Sequence, residues 1–264
     1  MWFLFYSSVA LLVLLMFVIF LRRPSQESNW VPEHSVLASA DINGGEIVLN
    51  NIISADYTAP GKCIVEHYDK SFNITDVDSA WLLVENFHVY AGPIKINLSH
   101  AFLTFGFKDE TFISISVAGR RKLGEVVTFA RIIPHRNEII YKVIDEADTL
   151  YARCVHDNDE VKLYKLRATP DLSQKILLNM LGELNKLHRK PKWFDSLTRN
   201  CSTEIIKHLK DVGFKLPLWH PSYIATTGID ELLQKFGVIE SGNSIMQKVQ
   251  DLGKDPELSR KIRE

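Results

Sequence analysis

Two residues of this chain have the type and setting to carry acyl chemistry, Cys201 and His100. Cys201 lies in Trp193–Lys210, WFDSLTRNCSTEIIKHLK, at a loop-to-helix junction. Asn200, Ser202 and Thr203 are cap-type residues, and Ile205, Ile206, Leu209 and Val212 then recur at a helical period that closes at Gly213. A sulfur at a helix N-terminus meets unpaired amide N–H groups and the positive end of the helix dipole, both of which favour the thiolate that attacks carbonyls. A nucleophile also needs a base, and His100 in Ser99-His100-Ala101-Phe102-Leu103 is the candidate, entering a strand-like run. A cysteine opening an amphipathic helix is more often a small capping-region residue, so position alone does not make it catalytic.

Other residues could complete such a site. Asn200, or a backbone amide near Cys201, could donate to the oxyanion of an acyl-transfer intermediate. Arg120-Arg121 could bind a substrate carboxylate or phosphate through paired hydrogen bonds, or end a hairpin in solvent. His188 reads as a last-turn residue suited to the helix dipole. Cys201 and His100, with no converging carboxylate or third thiol, fall short of a zinc ligand set, so neither a metal nor a cofactor is expected.

These residues need elements to position them. His100–Ala118 alternates like a hairpin around Lys108-Asp109-Glu110, sending Ile113, Ile115 and Val117 to the core and Phe112, Ser114 and Ser116 to the other face. Ile47-Val48-Leu49 and Trp81–Val84 read as short strands, with an irregular region holding Tyr57, Tyr68, Asp69 and Phe72 between them. Glu138–Ile144 and Val161–Leu166 read as a further strand pair. Thr169-Pro170-Asp171 starts a helix whose stripe Ile176, Met180, Leu184, Leu187 runs to about His188. Ile229–Phe236 reads as a short helix, and the charged tail from Gly253 as a segment that packs little. The expected class is α+β, a mainly antiparallel sheet packed against helices.

The N-terminus is different in kind. Trp2–Leu21 contains no charge and is long enough, at ~1.5 Å per residue, to cross a ~30 Å hydrocarbon core. No small-residue cleavage site is evident before Arg22-Arg23-Pro24, so residues 1–23 are expected to be a transmembrane anchor, 24–29 a polar linker, and 30–264 the folded domain. The bilayer, through this helix, is the one partner expected. The positive-inside rule, applied to Arg22 and Arg23 alone, would keep the domain in the cytoplasm. A net charge of -1 without a long basic tract leaves no footprint for nucleic acid. Cys63, Cys154 and Cys201 are too few for a disulfide scaffold; outside the cytoplasm a Cys63–Cys154 bond can form, and spacing leaves that open.

Several separated blocks, in order, carry a resemblance: Asn29-Trp30-Val31-Pro32-Glu33, Asn50-Asn51-Ile52, Tyr68-Asp69, His100 to Phe107, Ile115-Ser116-Val117 with Arg120-Arg121, Leu163-Tyr164, Asn185-Lys186-Leu187 and Asn200-Cys201-Ser202-Thr203. On these the chain resembles, from Asn29 to Glu264, the bacterial family called the Lnb N-terminal periplasmic domain. The resemblance implies an extracytoplasmic setting, hence a single-pass inner-membrane protein with a periplasmic domain. More distantly, a histidine heading a strand and a later Asn-Cys opening a helix resemble the circularly permuted papain-like thiol hydrolases, such as lecithin:retinol acyltransferase and the NlpC-type peptidases. That resemblance implies Cys201 as nucleophile, His100 as base and acid, and a polar residue such as Ser116 orienting the imidazole, in hydrolysis or transfer of an amide or ester acyl group of a cell-wall peptide, lipid or lipoprotein. Ala118 stands where the periplasmic family usually has Glu. Its loss motivates the alternative, a non-catalytic membrane-tethered binding or assembly domain.

Overall fold

The computed structural model describes residues 2–59, 62–91, 93–125 and 136–264, with some side chains of the first helix and beside the gaps also outside the description. Trp2–Leu21 forms one helix, α1. Among the described residues no helix is long and apolar enough to cross a membrane; several α1 side chains of the expected anchor lie outside the described residues. A short helix α2 (Pro32–Ser35) leads into the sheet.

Strands β1 (Ser39–Asn43), β2 (Glu46–Ala59), β3 (Lys62–Asn73), β4 (Val77–Ala91), β5 (Ile94–Phe107), β6 (Phe112–Gly119) and β7 (Ile139–Asp145) precede helix α3 (Glu146–Tyr151), which continues through a π-helical turn, Ala152–His156. Strand β8 (Glu160–Lys165), helices α4 (Pro170–Arg189), α5 (Cys201–Asp211), α6 (Ser222–Ala225) and α7 (Ile229–Lys235), strand β9 (Asn243–Ser244) and helices α8 (Met246–Leu252) and α9 (Leu258–Lys261) follow. The nine strands form one sheet in the order β1-β2-β7-β6-β5-β4-β8-β9, with β3 paired to β2. Every described pairing is antiparallel except a single parallel contact, Ile53↔Ile144.

The β5–β6 hairpin forms where alternation placed it. Gly106 is required there, since a Cβ would lie 2.5 Å from the Ser79 hydroxyl and 2.8 Å from the Phe112 ring. Three expectations need correction, and one open question closes. The region around Tyr57 and Tyr68 is the regular β2–β3 hairpin; Asn51 takes the left-handed conformation (φ 59) at a register shift and donates its N–H to Asp69 at 2.8 Å, so its polar residues mark a bulge, not a loop. Strands β7 and β8 both form but do not pair, because β7 adds to β6 and β8 to β4. The tail packs closely: Leu258 and Ile262 are buried, and Arg263 grips the buried Glu146 at 2.6 and 2.7 Å. All three cysteines are free thiols, so no disulfide links Cys63 to Cys154.

Both sheet faces are covered, which is why β5 and β6 are buried along both of their alternating sets. On one face Ala101, Leu103, Phe105, Ile113, Ile115 and Val117 pack with α4, α5 and α7 in the main core. On the other, Leu83 and Phe102 pack with Leu150, Cys154, Val249 and Leu258 from α3, the π turn, α8 and α9. Burying a side chain such as Ile205 or Leu209 of α5 contributes about 1.5–3 kcal/mol to stability.

Candidate functional site

Cys201 is the first residue of α5. Asn200, in extended conformation, accepts the Thr203 N–H on its Oδ1 at 3.0 Å while the Thr203 hydroxyl accepts the Asn200 N–H at 2.8 Å, a reciprocal cap that fixes where the helix starts. The Asn200 amide nitrogen donates to the carbonyls of Ser196 and Tyr223, both at 2.7 Å. Its side chain is thus fully engaged in the cap and the neighbouring loops, and the oxyanion role expected of it is corrected to a structural one.

Cys201 is 7% exposed, and its sulfur lies 3.3 Å from the Thr226 hydroxyl. Ser202 donates its hydroxyl to the same Thr226 oxygen at 2.7 Å, and in the contact with the sulfur either the Thr226 hydroxyl or the thiol can donate. Thr226 itself is left-handed (φ 64, ψ -26) where it ends α6. A β-branched residue there costs about 1–2 kcal/mol and persists only when its surroundings hold it. The hydroxyl of the next residue, Thr227, lies 3.4 Å from that of Ser99, which donates its proton to Asn86 at 2.8 Å, so the Cys201 corner reaches the immediate neighbour of His100.

His100 is half-buried on β5, and its Nε2 is 2.8 Å from the Ser116 hydroxyl on β6. The bond spans a fork. Beyond Leu103↔Ile115 the two strands part, β5 continuing on β4 to Ala91↔Ile94 and β6 on β7 to Gly119↔Ile139. The β4–β5 ladder runs through His100 without a register shift, so alternation aims the His100 Cβ to the Phe102 face while Cys201 packs on the Ala101 face. The structure therefore brings His100 to Ser116, and Cys201 to Thr226, on opposite faces of the sheet. Among the described hydrogen bonds none joins the sulfur to the imidazole.

On the His100 face the site is charged. Glu85 is directly opposite His100 and Lys142 directly opposite Ser116 in the ladders. Glu85 is buried, faces Arg153 at 3.3 Å, and is pushed up to about 7 by that burial, which Arg153 only partly offsets. Lys142 approaches Glu33 at 3.8 Å and Arg121 approaches it at 3.6 Å, while Tyr57 donates to it at 2.9 Å. The Lys142 ammonium, above all, holds Glu33 down to about 2. Burial and the nearby cations hold the His34 imidazole down to about 3, so it is neutral and its Nδ1 accepts the Arg121 N–H at 2.8 Å. Oxygens of Glu85, Asp157 and Asp159 lie within 4.8 Å of one another, but the Arg153 guanidinium already stands among them, 2.8 Å from Asp157.

The two arginines expected to bind substrate do other work. Arg120 is buried, stacks on Trp30 at 4.2 Å and donates to the carbonyls of His34 and Ser35, so it clamps the N-terminal segment to the sheet. Arg121 pairs with Glu33. Sequence reasoning missed Thr226, Lys142 and Glu85, and quoted Glu33 only within a resemblance block without giving it a role. Only Thr226 left a local trace, in a Thr-Thr-Gly turn; the others become a cluster through strand pairing that no single stretch reveals.

Sheet, covering helices and this polar corner define an α+β domain with two unlike faces. The chain belongs to the Lnb N-terminal periplasmic domain family, whose model matches residues 65–231, more than half of its length. Among curated proteins and among solved structures, nothing matches it.

Proposed function

We propose that this protein is a membrane-tethered thiol hydrolase or acyltransferase of permuted papain-like type, acting on an amide or ester bond of a cell-wall peptide, lipid or lipoprotein in the periplasm. Its anchor is α1, whose run without a charge exposes Trp2, Phe5, Leu11, Leu14 and Leu21 on several sides of the helix, as a helix set in lipid does. Membership of a periplasmic family outweighs the orientation bias of one arginine pair, which favours the domain on the outer side of the inner membrane.

The observation that supports the reaction is the approach of Ser99, the neighbour of His100, to Thr227, the neighbour of the Thr226 that touches the Cys201 sulfur, which sets a thiol on a helix N-terminus and an imidazole held by a hydroxyl on the two sides of one fork. In the reaction the Cys201 sulfur attacks the carbonyl carbon and His100 takes the thiol proton. The tetrahedral intermediate then expels the amine or alcohol, which receives that proton, and the acyl group stays on sulfur until water or an acceptor removes it. Ser116 holds the ring for both transfers, and N–H groups of the first turn of α5 face the oxyanion. The imidazole must turn through the β5–β6 fork to reach the sulfur. Incubating the full chain with a nitrophenyl ester and mapping adducts by mass spectrometry tests this: acyl on Cys201, absent in His100→Ala, is expected, and acyl nowhere, or equally on Cys63, would refute it.

A second reading, a tethered binding or assembly domain, is favoured by one observation. The sulfur sits in the main core against Thr226, on the face away from the His100 side chain. That reading predicts no acyl adduct in either protein.

A further inference from the structure

The linker after α1 does not hang free. The Trp193 indole donates to the Arg22 carbonyl at 3.2 Å, Ser25 donates its N–H to Glu138 at 3.2 Å, and the Gln26 amide donates to the carbonyls of Leu187, at 3.4 Å, and His188. Trp30 returns a bond to the Gln26 carbonyl at 2.9 Å. The end of the apolar helix is thereby fixed beside the C-terminal end of α4 and the loop that leads to Cys201. Among the side chains that this arrangement leaves in solvent are Arg22, Arg23 and, after them, Glu27 on the linker, Arg189 and Lys190 at the end of α4, and Leu197 on the loop, 56% exposed.

Four cations and an apolar loop tip around the exit point of a membrane helix match the chemistry of an anionic lipid surface. Each Lys or Arg held near such a surface contributes about 1 kcal/mol, and an indole at the interface adds an amphipathic contact. We propose that the face formed by Arg22, Arg23, Arg189, Lys190 and the Trp193–Arg199 loop docks on the anionic phospholipid headgroups of the bilayer that holds α1. The inference rests on α1 being the anchor. It gives Arg22 and Arg23 a task other than setting orientation, since they meet headgroups together with two residues far along the chain. It also holds the Cys201 end of α5 next to the membrane, because that helix begins where the docked loop ends.

Hydrogen exchange of the full chain in nanodiscs tests it. In discs containing phosphatidylglycerol, amides over 193–199 exchange several-fold more slowly than in phosphatidylcholine discs, and high salt removes the difference. The double variant R189E/K190E loses the protection, whereas K248E, an exposed lysine on α8 beneath the opposite sheet face, keeps it. Equal exchange in the two lipids, or protection that survives R189E/K190E, overturns the docking while leaving the anchor intact. A chain that does not co-elute with the discs overturns the anchor and the docking together.

Discussion

The two sides of the β5–β6 fork are built from different chemistry. Around Cys201 the polar groups are neutral hydroxyls, Ser202 bonded to Thr226 and, one residue along, Ser99 beside Thr227. Around His100 the groups beyond Ser116 are charged, Glu85 and Arg153 on one flank and Glu33, Lys142 and Arg121 on the other. Buried charges left unmatched cost the fold far more than buried hydroxyls left unmatched, and the charges titrate whereas the hydroxyls do not. The contrast places pH-dependent stability on the charged face and leaves the thiol corner free to set reactivity.

The strongest way to break this division is to remove one member of a buried ion pair on the charged face. Arg263→Met leaves Glu146, fully buried, without its guanidinium, and is expected to cost about 3–5 kcal/mol in urea unfolding. A loss no larger than that of an ordinary surface substitution would show that the charged face does not carry stability.

Acid should act next most strongly. Glu33 titrates near 4.5 when unfolded and about 2 when folded, so its contribution, on the order of 3 kcal/mol, is present above 4.5 and lost as pH falls toward 2. His34 has the same sign over the interval from 6.5 down to about 3, because only the unfolded chain takes up the proton there. Glu85 runs the other way: its folded carboxyl, raised to about 7, contributes below 4.5 and loses that contribution as pH rises through 7. Thermal melts across pH should therefore show Glu33→Gln less sensitive to acid than the wild type, and Glu85→Gln without the decline on approaching neutrality.

A finer comparison separates strain from hydrogen bonding at Thr226. Thr226→Val keeps the branch and loses the hydroxyl, Thr226→Ser keeps the hydroxyl, and Thr226→Gly loses both. Melting should follow the branch, with the glycine variant above the valine by about 1 kcal/mol. Alkylation of Cys201 should follow the hydroxyl, about tenfold slower in both Val and Gly than in Ser, the worth of one hydrogen bond to a charged sulfur. Rates that track melting instead would make Thr226 merely structural.

The sequence made some of this legible for clear physical reasons. Period-two alternation around Gly106 placed the β5–β6 hairpin, and cap residues fixed the start of α5 at Cys201, because both signals are local. The His100–Ser116 contact was also within reach, since both side chains share one face of adjacent strands. Partners that depend on remote pairing were not: β7 and β8 looked like neighbours and are separated by β6, β5 and β4. Arg120 looked available because its type suits an anion, whereas the Trp30 ring and two carbonyls already hold it. The tail from Gly253 read as loose because its two anchoring residues, Leu258 and Ile262, are few among charges.

The central claim, that the Cys201 thiol and the His100 imidazole act together across the fork, is tested most directly by alkylation kinetics at near-neutral pH with each cysteine followed by peptide mass. The other two thiols are internal references: burial pushes Cys154 up to about 12 and, with Glu33, raises Cys63. The account predicts that Cys201 reacts fastest and slows in His100→Ala. Labelling of Cys201 no faster than of Cys63 or Cys154, and unchanged by His100→Ala, would contradict it.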